Sequence, residues 1–209
     1  MISAREALER LRHGNSRFVS GVQGGDILAS RSRPIELPSD QEQAPFGIIL
    51  GCSDSRVPAE IVFDQGLGDL FVIRVAGNIV APSQIGSVEF AAERFGTPLV
   101  VVLGHTQCGA VQATIEELKL PKQVQSRNLQ SIVDLIRPSV EMLISTENTL
   151  ESSALMTKAI RSNVRASVDH LRHGSDIIEH LVQQGRLLVV GAEYSLETGV
   201  VEFFDGLPD

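Results

Sequence analysis

The chain has 209 residues, 43% hydrophobic and 21% charged, enough for one well-covered core and a single domain spanning 1–209. A net charge of −8 argues against nucleic acid as a partner, because phosphate contacts need clustered Lys and Arg. No apolar run approaches a membrane span and the first residues lack the apolar core of a signal peptide, so no membrane partner and a cytoplasmic location are expected.

In chain order, Ser3-Ala4-Arg5-Glu6 is a capping box, and Ala7, Leu8, Leu11 and Phe18 recur with helical spacing behind it. Val19 to Gln43 is rich in Gly, Ser, Pro and charge, which predicts a loop carrying the first helix away from the core and onto a partner subunit. Apolar runs predict strands at Phe46–Leu50, Leu70–Arg74 and Leu99–Leu103, with a helix over Gln84–Phe95. A helix through Leu118 is expected to end at Pro121. Three more helices follow: Leu129–Ile136 stopped at Pro138, Ile160–Leu171, and Ile177–Val182. Leu187–Val190 reads as a fourth strand, and Val200–Phe204 as an antiparallel edge strand returning after Thr198-Gly199. The fold class is therefore α/β: a mostly parallel central sheet of four strands plus an antiparallel edge strand, flanked by helices, with an N-terminal helical arm.

Both cysteines lie just past predicted strands. Gly51-Cys52-Ser53-Asp54-Ser55-Arg56 follows the first, and His105-Thr106-Gln107-Cys108-Gly109 follows the third. Two parallel strand ends side by side would bring two thiols, an imidazole and a carboxylate to one crevice, a donor set that tetrahedral zinc prefers. Taken singly, each cysteine is more often a small buried hydrophobe. A Cys52–Cys108 disulfide leaves Asp54, Arg56 and His105 unexplained. Structural zinc is the stronger rival, since Asp54 as a fourth ligand would close the site. Arg56, two residues on, can take the Asp54 carboxylate in a two-pronged pair and leave a position for water. His13, His170, His173 and His180 fall on helical surfaces and read as solvated. Gly66-Leu67-Gly68 lacks a third glycine and precedes a strand, so it makes a poor dinucleotide loop.

The segments Cys52-Ser53-Asp54-Ser55-Arg56-Val57, Arg74-Val75-Ala76-Gly77-Asn78 and His105-Thr106-Gln107-Cys108-Gly109 resemble the signature segments of β-class carbonic anhydrases. The resemblance implies reversible hydration of carbon dioxide to bicarbonate and a proton by zinc-bound hydroxide. It also implies homodimers with the site at the subunit interface, often paired into tetramers, and an arm of residues 1–42 packed on the neighbouring subunit. Carried over by position, it makes Cys52, His105 and Cys108 the zinc ligands. Asp54 and Arg56 become a gate, with Asp54 on the metal in the closed state only. Gln43 would hydrogen-bond bicarbonate, Phe71 would line the apolar end of the pocket, and Phe90 stands where tyrosine is often found. One branch of the family carries a regulatory bicarbonate site of tryptophan, arginine and tyrosine. Arg74 and Tyr194 match the last two, but Ile49 occupies the tryptophan position, so the resemblance does not extend to that control. Two alternatives stay open: a carbon disulfide or carbonyl sulfide hydrolase on the same scaffold, and a non-catalytic zinc protein with Asp54 permanently bound. Arg56 and Gln43 argue against the second, which needs neither.

Overall fold

The structure is a computed structural model that describes residues 2–22, 43–119, 126–146 and 152–208. Its centre is a five-stranded sheet in the order β2-β1-β3-β4-β5. The strands are β1 (Gly47–Gly51), β2 (Leu70–Arg74), β3 (Leu99–His105), β4 (Leu188–Tyr194) and β5 (Val201–Asp205). The first four run parallel, and β5 pairs antiparallel with β4 at the edge, as the alternation of strands and helices predicts. The two inner strands β1 and β3 are apolar and buried along their whole length, as strands covered on both faces must be.

Helices α1 (Ala4–Ser20) and α2 (Ala59–Val62) cover one face of the sheet, where Leu8, Leu11 and Phe63 pack on Ile49, Val101 and Leu103. Helices α3 (Pro82–Phe95), α6 (Ser152–His173) and α7 (Asp176–Gln183) cover the other, against Ile48, Leu50, Val100 and Val102. Helices α4 (Gly109–Lys119) and α5 (Arg127–Thr146) close the end of the sheet that holds both cysteines.

Three expectations change. The helix over Leu129–Ile136 does not stop at Pro138 but runs to Thr146. An interior proline costs about 3 kcal/mol. Here Ile136 and Val140 lie on one fully buried stripe, each worth about 1.5–3 kcal/mol, so a continuous helix wins. Strands β3 and β4 run beyond their apolar runs to His105 and Tyr194, which pair across the ladder. Helix α1 lies on the core of its own chain, with Ala7, Leu8 and Leu11 buried, where a departure from the core was expected. Most of the connecting segment, 23–42, and the expected stop at Pro121 lie outside the described residues.

Asn15 explains why α1 is held so firmly. It is buried on the apolar face, donates from Nδ2 to the carbonyls of Val62 (3.1 Å) and Gly199 (2.8 Å), and accepts from the Val201 amide at 2.8 Å. Arg10 adds an ion pair to Asp69 at 2.8 Å while stacking over Phe46. Asn15→Ala strands three backbone groups and should cost roughly 2–3 kcal/mol in urea unfolding. A loss below ~0.5 kcal/mol, the usual scale of an inconsequential surface change, would show that α1 is not docked as described.

Candidate metal centre

Parallel pairing of β1 with β3, in register Gly51 with Leu103, makes both strands end at one edge of the sheet. Cys52 leaves β1 there, His105 ends β3, and Cys108 stands at the turn that opens α4. Their ligand atoms lie within 4.8 Å of one another, and all three residues are buried. Both cysteines are free thiols, so the disulfide reading fails.

His105 shows what the cradle is for. Its Nδ1 lies 2.9 Å from the Thr106 carbonyl. A carbonyl only accepts, so Nδ1 carries the proton and Nε2 presents its lone pair. That Nε2 is fully buried and has no hydrogen-bond partner. A buried nitrogen without a partner costs about 1–3 kcal/mol. A metal ion beside two thiols would satisfy it, and the donor set of two sulfurs and one imidazole is of the kind zinc takes. The residues fit the group.

The sulfurs are unequal. Hydrogen bonding from Cys108 pulls Cys52 well below the ordinary thiol range against the opposing effect of burial, with His105 and the Gly77 amide assisting. Cys108, which retains the shared proton, is pushed up, and burial adds to the shift. Burial works to lower His105, but the Cys52 thiolate beside it outweighs this and raises it.

Asp54 is held by Arg56 through both carboxylate oxygens, Nε to Oδ1 at 3.0 Å and Nη2 to Oδ2 at 2.8 Å, and the Arg56 amide adds a bond of 2.9 Å. The Arg56 hydrogen bond keeps the Asp54 carboxyl well below the usual range despite some desolvation. Its Oδ2 is 4.0 Å from Nε2 of His105. The carboxylate is thus forked by arginine while standing next to the cradle.

Arg74 does something its sequence position did not disclose. Its guanidinium donates to the carbonyls of Cys52 (3.1 Å) and Asp54 (2.6 Å), tying down the loop that carries both. Tyr194 packs in the core against Phe18, on the sheet face that also holds Ile49.

The remaining candidates are not brought to the cradle within the chain. Gln43 is exposed at the N-terminal end of β1. The five strand residues between that end and Cys52 span roughly 16 Å. Phe71 and Phe90 cluster with Phe95 at ring separations of 5.4–6.4 Å, and Phe71 packs in a different apolar group from the one containing Cys52 and Cys108. Sequence reasoning missed Thr106 and Asn163. Asn163 had a signal: it is a polar residue at the helical spacing of Ile160, Val164, Val168 and Leu171.

The carbonic anhydrase family model matches residues 47–201. A carbonic anhydrase of Mycolicibacterium smegmatis is 37% identical over 208 residues, covering 97% of this chain and 94% of the relative. Carbonic anhydrase 2 of Mycobacterium tuberculosis is 35% identical, covering 92% of this chain and 89% of its own length. Among solved structures, the β-carbonic anhydrase CafA of Aspergillus fumigatus superposes with a TM-score of 0.74 at 24% identity, over 93% of this chain and 92% of that one. The chain belongs to the carbonic anhydrase family, and its fold is that of the β class.

The unequal sulfurs can be checked without any metal. In metal-free protein, thiolate ultraviolet absorbance should report one sulfur per chain ionising below the ordinary thiol range and a second above it. Two thiols titrating together near pH ~8.5, the ordinary value, would contradict this account.

Proposed function

We propose that the protein is a zinc-dependent carbonic anhydrase that interconverts carbon dioxide and bicarbonate at the Cys52, His105 and Cys108 cradle. The observation that carries this reading is the buried, unpartnered Nε2 of His105 facing two thiols, with a carboxylate held beside it. Cys52, Cys108 and His105 would bind the ion. Bound there, zinc supplies a Lewis acid that brings the ionisation of water to about pH 7.

The protein's own groups do the rest. Asp54, kept ionised by Arg56, can accept a hydrogen bond from a bound water but cannot donate one. Arg56 restrains the carboxylate from becoming a fourth ligand, which favours an open catalytic site over a closed structural one. The apolar group around both sulfurs, including Ile79, Val111 and Ile115, offers a dry wall suited to a small apolar substrate. Free thiols are consistent with a reducing, cytoplasmic setting. Among the described residues, no helix is long and apolar enough to cross a membrane.

Stopped-flow carbon dioxide hydration, with zinc measured on the same sample, tests this reading. About one zinc per chain is expected, with Cys108→Ser losing both metal and activity. In Arg56→Ala the carboxylate, already 4.0 Å from His105 Nε2, is free to take the metal's remaining position. Activity should fall by two orders of magnitude or more, on the scale of a lost catalytic group, while zinc stays bound. Retention of near-parental rates in that variant sinks the gate.

The same reading has the enzyme work as a homodimer or a pair of dimers, with residues 1–42 adding to the contact. Two β-carbonic anhydrases of Sordaria macrospora that share the fold are tetrameric. Gln43, Phe71 and Phe90 would then serve the site of the partner. The support is the separation of Gln43 from the cradle of its own chain, the packing of Phe71 in a different apolar group, and the exposure of Gln43 and Phe90. Subunit mixing decides the matter. Gln43→Ala alone should slow hydration by roughly 10–150-fold, the equivalent of a 1.5–3 kcal/mol hydrogen bond to a charged group. Co-assembled with inactive Cys108→Ser subunits, it forms dimers with one complete site, and the mixture should exceed either variant. No gain on mixing eliminates a shared site.

A further inference from the structure

Between β2 and α3 the chain makes a tight turn, Ala76–Asn78, in which Gly77 takes a left-handed conformation with φ 71°. A Cβ there would stand 2.7 Å from Cδ1 of Ile136 and 3.0 Å from Cβ of Ala110, so the turn presses against α5 and α4. The Gly77 amide donates to Cys52 Sγ at 3.4 Å. An N–H···S bond draws charge from a thiolate, and its aim depends on what holds the turn. Two side chains of α6 do so. Asn163 Nδ2 donates to the Gly77 carbonyl at 2.8 Å, and Ser167 Oγ to the Asn78 carbonyl at 3.0 Å. Both are buried, one helical turn apart, on a face otherwise made of Ile160, Val164, Val168 and Leu171. A purely structural account would have them satisfy two buried carbonyls and nothing more. It does not explain why both bonds converge on a turn whose amide meets the Cys52 sulfur.

We propose that Asn163 and Ser167 are positioning residues for the metal centre. They fix the Gly77 amide against Cys52 Sγ and so set how strongly that sulfur donates to the metal. Outer partners of metal ligands typically change affinity by roughly 10–100-fold when removed. The inference rests on the metal reading above.

The test uses the full-length protein loaded with zinc or with cobalt(II), whose thiolate charge-transfer band reports electron density on sulfur. Asn163→Leu removes the donor at similar volume, and Ser167→Ala removes a single hydroxyl and stays foldable. In Asn163→Leu the band should move to lower energy as charge returns to the sulfur, and zinc release to a chelator should speed up roughly 10–100-fold because the unpinned turn no longer holds Cys52 in place for the ion. Ser167→Ala should shift both in the same direction by less, and it decides the question alone if Asn163→Leu fails to fold. A lowered melting temperature with the parental band and parental release rate overturns the proposal and leaves the structural account. A parent protein that binds neither ion overturns the metal reading itself and this inference with it.

Discussion

The parallel ladder between β1 and β3 places Gly51 beside Leu103, and every ligand position follows from that register. A slip of one residue would turn each side chain to the opposite face and carry Cys52 away from His105. Polarity cannot enforce this register, because both faces of both strands are apolar and buried. Groups at the strand ends pin the neighbouring ladders instead, β1 to β2 and β3 to β4. The Val75 amide bonds the Gly51 carbonyl, and the Thr106 amide bonds the Tyr194 carbonyl at 2.9 Å. At Gly104 a Cβ would stand 2.5 Å from Val164 Cγ2, so α6 seats against the strand only where the glycine faces it. The polar edge that carries the chemistry thus also ties β1 to β2 and β3 to β4.

Each part of the centre has a protein partner that limits its freedom. Cys52 meets the Gly77 amide, His105 meets the Thr106 carbonyl, and Asp54 meets the Arg56 fork. Thr106 is itself held, since its Oγ1 accepts from the Leu196 amide at 3.0 Å. Arg74 holds the loop between the first cysteine and the gate. Two arginines therefore stand beside two thiols and a carboxylate, which leaves unbalanced negative charge for a cation once the thiols ionise. The fork on Asp54 matters most in this balance. Without it, the carboxylate would be the strongest unclaimed ligand next to the cradle.

What the sequence disclosed follows the range of the interactions involved. Four parallel strands and an antiparallel edge were legible because each is a short apolar run bounded by turn chemistry. The clustering of Cys52, His105 and Cys108 was legible because they lie within a few residues of two strand ends, so topology alone brings them together. The ends of β3 and β4 were not legible, because His105 and Tyr194 break the apolar run while the hydrogen-bond ladder continues through them. Helix α5 was cut short at Pro138 because a local rule was applied where burial of Ile136 and Val140 prevails. Asn15 and Asn163 were passed over for a related reason. A polar residue on an apolar stripe reads as a flaw until the backbone groups it satisfies, far away in sequence, are known.

The division between residues the chain brings to the cradle and those it does not follows the same logic. Metal ligands must be fixed to within tenths of an ångström, and adjacent strands of one chain can do that. Groups that contact a small, fast-exchanging substrate tolerate looser attachment and can come from another surface. Strand β2 forms one edge of the sheet, and Phe71 on it packs with Phe90, which is 53% exposed. An aromatic ring left open beside an edge strand is the kind of surface that association covers. Covering that edge with a second copy would bury the ring and bring new side chains beside the strand. On the dimeric reading, assembly and completion of the active site are then one event, and a monomer would hold its metal while lacking part of its substrate pocket.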